Sequence, residues 1–223
     1  MIILAIILTV LTGYLLGSCN SAIITVRILE HKDIRDFGSH NAGLTNTLRC
    51  FGKKCALFTL IGDLAKGIIA VLISKLLCCL IGFADSINSE NIIFIGYIAG
   101  ISAIIGHVFP LYHHFKGGKG VLVGVSVFVV IDWKAFLIMI AIFAIIVALS
   151  KYVSLGSIIA AASCPFVTFI LQYFVSQIAL ETCILDTILA AVMGGMVIFM
   201  HRSNIKRLMS GTENKLSVGK SKK

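Results

Sequence analysis

Apolar residues gather in blocks over residues 2–26, 55–83, 91–109, 121–131, 134–150, 155–176 and 182–200, with short polar stretches between them. A helix needs roughly 20 apolar residues to cross about 30 Å of hydrocarbon, and most blocks reach that length or come close. A segment exposed to lipid must satisfy its backbone hydrogen bonds internally, so the pattern predicts helices. Val121 to Ile131 is too short to cross by itself, and only Asp132-Trp133-Lys134 separates it from the next block. One long tilted helix and a tight helical hairpin both fit that local pattern.

Charge selects the hairpin. If the segment Arg27–Lys54 is cytoplasmic, the loop at 84–90, which has Asp85 and Glu90 and no basic residue, lies outside. Lys116 and Lys119 then return to the cytoplasm. If 121–150 crosses twice, Lys151 and the tail residues Arg202, Lys206, Arg207, Lys215, Lys220, Lys222 and Lys223 follow them. Every Lys and Arg except Lys66, Lys75 and Lys134 is then inside, as the positive-inside rule expects. A single crossing would place the basic tail outside. The expected fold is an all-α polytopic membrane protein with seven transmembrane helices, amino end outside and carboxyl end cytoplasmic. Residues 1–223 form a single integral membrane domain, with 210–223 as a basic cytoplasmic tail.

Composition agrees, since 58% of the 223 residues are hydrophobic and 13% charged, too few to cover a soluble domain. The net charge of +9 reports topology and attraction to anionic lipid, with no need for nucleic acid. No basic residue precedes the first apolar block, which reads as a membrane helix instead of a cleaved signal. The seven cysteines are odd in number and lack ligand spacing, so neither a metal nor a required disulfide is expected.

The polar clusters all fall on the predicted cytoplasmic side. Ser39, Asn41, Thr45, Asn46 and Arg49 form the first, whose small hydroxyl and amide groups ending in an arginine suit a phosphorylated polar substrate. A plain loop would show the same residues. The second joins His107 to Lys116-Gly117-Gly118-Lys119-Gly120. Gly120 follows Lys119 where a nucleotide-binding loop needs Ser or Thr for magnesium, so a nucleotide is disfavoured. Glycine amides, the Lys119 charge and a helix start at Val121 still suit an anion. A flexible turn with a headgroup-anchored lysine is the alternative. Ser154 opens the helix after Lys151-Tyr152, where capping alone explains a serine. His201, Arg202 and Asn204 follow the last apolar block, with His201 and Asn204 on one helical face. A juxtamembrane basic patch would look alike. Within the second block, Asp63 and Lys66 stand one turn apart, either as a neutralising pair or as support for a site.

Taken together and in order, these pieces resemble the bacterial membrane acyltransferases that acylate glycerol 3-phosphate with acyl phosphate. The resemblance rests on Gly17-Ser18, Ser39-x-Asn41, Gly43, Thr45-Asn46 and Arg49; on Asp63-x-x-Lys66-Gly67; and on Gly106-His107-x-Phe109-Pro110 with Phe115-Lys116-Gly117-Gly118-Lys119-Gly120. Tyr152-Val153-Ser154-Leu155 and His201-Arg202-x-Asn204-Ile205-x-Arg207-Leu208 with Gly211-Thr212-Glu213 complete it. The chain departs from the family at His40, usually Gly, at Leu44, usually Ala, and at Asn20, usually Pro. The resemblance implies seven membrane helices around a cytoplasm-facing site in a bacterial cell membrane. It implies acyl transfer to the 1-hydroxyl of glycerol 3-phosphate, giving lysophosphatidic acid and phosphate, with no cofactor. It also implies a functional link to an enzyme that makes acyl phosphate. On that reading Lys119 and the Gly117–Gly120 amides take one phosphate, and Arg49, Ser39 and Asn46 help to position the other. Ser154, His201 and Asn204 align the acyl carbonyl and leaving phosphate, and His201 or a substrate phosphate accepts the proton. Asn41, Thr45, His107, Lys116 and Arg202 are further substrate-binding candidates, with Asp63 and Lys66 in support. The alternative from another class is a transporter or channel for a phosphorylated solute. Against it, the chain shows no internal repeat and its polar groups gather near one membrane face.

Overall fold

The computed structural model describes residues 1–82 and 89–216, with backbone alone over 89–92. Asp85 and the Glu90 side chain of the predicted outer loop, and Lys220, Lys222 and Lys223 of the tail, lie outside the described residues. The described chain is helical: α1 (Ile2–Ser18), α2 (Ser21–Glu30), α3 (Leu44–Leu80), α4 (Ser89–Val108), α5 (Val121–Ile131), α6 (Trp133–Ser150), α7 (Val153–Ile170), α8 (Leu180–Met200) and α9 (Arg202–Met209). Among the described residues, six helical stretches are long and apolar enough to cross a bilayer: Ile2–Glu30, Leu44–Leu80, Ile93–His113, Trp133–Ser150, Val153–Val175 and Leu180–Met200. The seventh predicted crossing corresponds to α5, whose 11 residues span only about 16 Å.

The ambiguity between α5 and α6 resolves at Asp132. Its extended backbone ends α5, and its carboxylate then accepts hydrogen bonds from Lys134 N at 3.0 Å and Ala135 N at 3.2 Å to start α6. A continuous helix would put Val121 and Phe143 about 33 Å apart. Both instead line one small apolar groove, so the chain folds back on itself.

The first apolar block also breaks, at Cys19-Asn20. Asn20 caps α2 by accepting from Ile23 N at 3.1 Å. Proline, which the resemblance expects at this position, would start a helix by lacking an amide hydrogen; Asn20 starts it by capping. On the preceding turn, α1 packs closely on α4. A Cβ at Gly17 would strike the Ala103 carbonyl, and one at Gly106 would strike that of Tyr14. Small residues let two membrane helices approach backbone to backbone, which hydrophobicity alone cannot drive in lipid.

Helix α3 begins eleven residues before the apolar block that predicted it. Its first two turns carry Thr45 to Phe51, and Gly52, at φ +79°, bends the chain before the membrane-crossing part. Thr45 and Arg49 therefore share a helical face, four residues apart. The hydrophobic core joins α3, α4, α5 and α8 through Val71, Tyr97, Ile104, Val127, Phe128 and Met193. Large apolar side chains such as Leu4, Leu72, Leu149 and Phe166 remain on the outer surface, where lipid replaces water as the solvent.

Candidate active site

One cavity of about 1290 Å³ opens where the loop before α3, the start of α5, the start of α7 and helix α9 meet. Ser39, Asn41, Thr45, Asn46, Arg49, Asp63, His107, Lys119, Gly120, Ser154, His201 and Asn204 line it, so residues up to 165 positions apart converge. His40 and Leu44, the two loop departures noted above, line it as well.

A hydrogen-bonded chain crosses the wall between α5 and α9. Lys119 Nζ donates to Asn204 Oδ1, and Asn204 Nδ2 donates to Glu213 Oε1 at 2.8 Å. Ser154 Oγ donates to the same carboxylate oxygen at 2.9 Å, while Arg207 Nε reaches Oε2 at 2.6 Å. Both partners of the Asn204 amide are unambiguous, so the network fixes its orientation. Residues 210–216, beyond α9, are thus held against the bundle: Leu216 N donates to Lys151 O at 2.7 Å and straps them over the start of α7. Burial, with the Arg207 charge, lowers the Lys119 pKa to about 8. Burial raises the Glu213 pKa, but the hydrogen bonds from Asn204, Arg207 and Ser154 outweigh it and hold the carboxyl below its ordinary value. His201 Nδ1 lies 2.7 Å from Val197 O, which can only accept, so Nδ1 carries the proton and Nε2 is left as an acceptor. Burial brings the His201 pKa down to about 4, leaving the ring neutral at pH 7.

The glycine run works differently from the expectation that its amides cradle an anion. Gly117 N donates to Val108 O and Gly118 N to His107 O, both at 3.1 Å, so these amides are already engaged. The glycines are needed for close approach: a Cβ on Gly117 would strike the His107 carbonyl, and one on Gly118 would strike His107 Nε2. Neither residue lines the cavity. The amides that remain for an anion belong to the first turn of α5, where Gly120 at φ +81° precedes the helix without any side-chain cap.

Three other expectations shift. Asn46 is engaged in its own loop, accepting from Ser39 N at 3.0 Å and donating to Phe37 O at 2.9 Å and Asn41 O at 3.2 Å. Its capacity is used on the backbone, so it shapes the loop that carries Ser39 and Asn41. Lys116 is exposed and off the cavity. Arg202 is exposed too, with its guanidinium 4.8 Å from the Phe199 ring centroid. Conversely, Arg207 and Glu213 line the cavity, although the sequence marks Arg207 only as a basic residue of the tail and both only as members of the last motif. The three-residue spacing that pairs His201 with Asn204 points onward to Arg207, which was the available signal. Glu213 follows a turn, where helical spacing carries no information. Among the described residues, no three His, Cys, Asp or Glu side chains come together as metal ligands would.

From the cavity, a narrow groove of about 100 Å³ runs between α5, α6, α7 and α8. Val121, Leu122, Phe143 and Ser157 line both spaces and form the junction. Phe128, Met139, Cys164 and Met193 line the deeper part of the groove. A polar chamber with several cations, adjoining an apolar groove, matches an amphiphile with an anionic head.

Known proteins share both sequence and fold. Glycerol-3-phosphate acyltransferases from Thermoanaerobacter sp. (strain X514) and Chlorobaculum tepidum are 40% and 38% identical, covering 94% and 95% of this chain and 95% and 96% of their own length. The crystal structure of PlsY (YgiH), an integral membrane glycerol 3-phosphate acyltransferase, in its glycerol 3-phosphate form superposes with a TM-score of 0.75 at 30% identity, covering 95% of this chain and 96% of that one. The lysophosphatidic acid form of PlsY gives 0.72 at 29% identity, with 95% of each chain covered. Residues 7–211 match the glycerol-3-phosphate acyltransferase family, and with that span and these relatives the chain belongs to it, as an integral membrane acyltransferase.

Proposed function

We propose that this protein transfers a fatty acyl group from acyl phosphate to the 1-hydroxyl of sn-glycerol 3-phosphate, giving lysophosphatidic acid and phosphate. One observation carries the reading: Lys119, Arg49 and Arg207 line a chamber that shares a wall with an apolar groove. Two anionic heads fit the chamber, and the leading part of an acyl chain fits the groove with the remainder in the bilayer. Lys119 and the uncapped first turn of α5 hold one phosphate. Arg49 and Ser39, with Asn41 and Thr45 beside them, hold the other. The C1 hydroxyl oxygen attacks the acyl carbonyl carbon, and the bond from that carbon to the phosphate oxygen breaks. Acyl phosphate carries a good leaving group, so positioning and charge stabilisation are the main tasks.

His201 Nε2 accepts the hydrogen bond of the attacking hydroxyl. A base with a pKa of about 4 draws that proton only weakly. The proton therefore ends on the released phosphate, whose oxygen becomes a stronger base as its bond to the acyl carbon breaks. Ser154 and Asn204, held by Glu213, orient the carbonyl and leaving group. The chain acts as one domain with seven crossings, amino end outside and carboxyl end cytoplasmic in a bacterial cell membrane. The cavity then faces the cytoplasm and receives acyl phosphate from the enzyme that makes it. Purified protein in detergent, given radiolabelled glycerol 3-phosphate and palmitoyl phosphate, should form labelled lysophosphatidic acid without a sealed compartment. Absence of product with acyl phosphate, but turnover with an acyl thioester, would replace the donor.

A further inference from the structure

Asp63 and Lys66 lie in the membrane-crossing part of α3 and are 2% and 6% exposed. Ionic groups so deeply buried in lipid-facing helices are costly unless every donor finds an acceptor. Lys66 is surrounded by acceptors. Its ammonium lies 2.9 Å from Asp63 Oδ1, 3.1 Å from Cys19 O and 2.8 Å from His107 Nδ1. The break between α1 and α2 is what frees the Cys19 carbonyl for this contact. Two of these contacts are hydrogen bonds, to Cys19 O and His107 Nδ1, and the third is an ion pair with Asp63.

An ammonium paired with a carboxylate has hydrogens to give and no lone pair. His107 Nδ1 must therefore accept, and the ring must be neutral with its proton on Nε2. Asp63 Oδ1, 3.7 Å from Nδ1, is the other charged atom near that edge. Nε2 lies over Gly118, whose missing side chain leaves the ring room, at the wall of the cavity that His107 lines. The same histidine accepts Gly118 N on its carbonyl, tying ring and loop together one residue before Lys119.

We propose that Asp63 and Lys66 are positioning residues: they lock His107 as the Nε2–H tautomer, presenting a fixed hydrogen-bond donor to a substrate phosphate held by Lys119. The inference rests on the phosphate assignment above. The phosphate belongs to glycerol 3-phosphate or to the acyl donor, and separate KM values tell which.

The lock is read by nitrogen NMR on ¹⁵N-histidine-labelled full-length protein in micelles, with the His107→Gln spectrum assigning the signal. Wild type should show a neutral ring protonated at Nε2. An Asp63→Asn/Lys66→Met double variant, which removes both charges together, should show Nδ1-protonated or mixed forms. Its KM for one phosphate substrate should rise about tenfold, the loss of one good hydrogen bond. His107→Gln, whose amide reaches the Nε2 position, should keep KM within about threefold, whereas His107→Asn should match the double variant. These two variants decide the matter even if the double variant fails to fold. An Nδ1-protonated ring in wild type, or wild-type KM values in His107→Asn or the double variant, would overturn the proposal. The spectrum reads the tautomer without turnover, so failure of the proposed reaction is distinguishable from failure of the lock.

Discussion

At the start of α7, Ser154 gives its hydroxyl hydrogen to Glu213 on the wall of an open cavity. About 27 Å away, in the π-turn that follows α7, Gln172 donates to Asp186 of α8 at 2.9 Å. The residues on both sides are polar and mostly buried. The difference lies in what they face. The first network draws on four segments, includes Lys119, Arg207 and Glu213, and borders a large chamber. The second joins neighbouring helices, has Tyr97 and Thr168 beside it at 3.4 Å from each other, and lines neither cavity nor groove. Burial of polar groups is therefore a poor guide to function here. Convergence from distant segments onto an open space is the better one.

The largest expected effect comes from the first region. Lys119→Ala should lower turnover on the order of 10³-fold, typical of removing a charge that stabilises a transition state. Its melting temperature in detergent should stay near wild type; an equal loss in Gln172→Leu would abolish the distinction between the regions. His201→Ala comes next, with a fall of about 10²-fold because the Nε2 acceptor is lost. If the released phosphate takes the proton, the shape of the pH–rate profile survives this change.

The second region should respond in stability instead. Asp186→Ala removes the acceptor of a buried hydrogen bond and should cost about 1–3 kcal/mol by thermal unfolding, with turnover of the folded fraction unchanged. The pH dependence sharpens the first region further. Lys119 must be charged to hold an anion, and its pKa of about 8 lies below the ordinary lysine value. Hence kcat/KM should fall as pH rises through about 8, and Lys119→Arg should lose that alkaline limb whatever activity it keeps. The smallest effect belongs to His40, which holds φ +58° with Nδ1 at 2.8 Å from Arg35 O. His40→Gly relieves the left-handed strain but loses this bond, so stability should shift by less than about 1 kcal/mol.

Much of the molecule was legible in its sequence. Apolar blocks placed the helices because a lipid-exposed backbone has no alternative. The polar clusters named most of the cavity lining because such residues have few other reasons to stand together. Their separate duties were less visible. Asn46 and Arg49 read alike as substrate ligands, yet one faces its own loop and the other the chamber, because the loop runs straight into α3. Gly117 and Gly118 read as an anion cradle, but what they accommodate is His107.

By itself, then, the sequence determined an all-helical membrane chain and the order of its polar clusters, because periodicity, length and local composition act within one segment. Only the tertiary structure decided that Glu213 joins Ser154, Asn204 and Arg207, and that the Cys19 carbonyl meets Lys66. Those contacts form between distant segments, where packing sets the distances and no spacing along the chain records them.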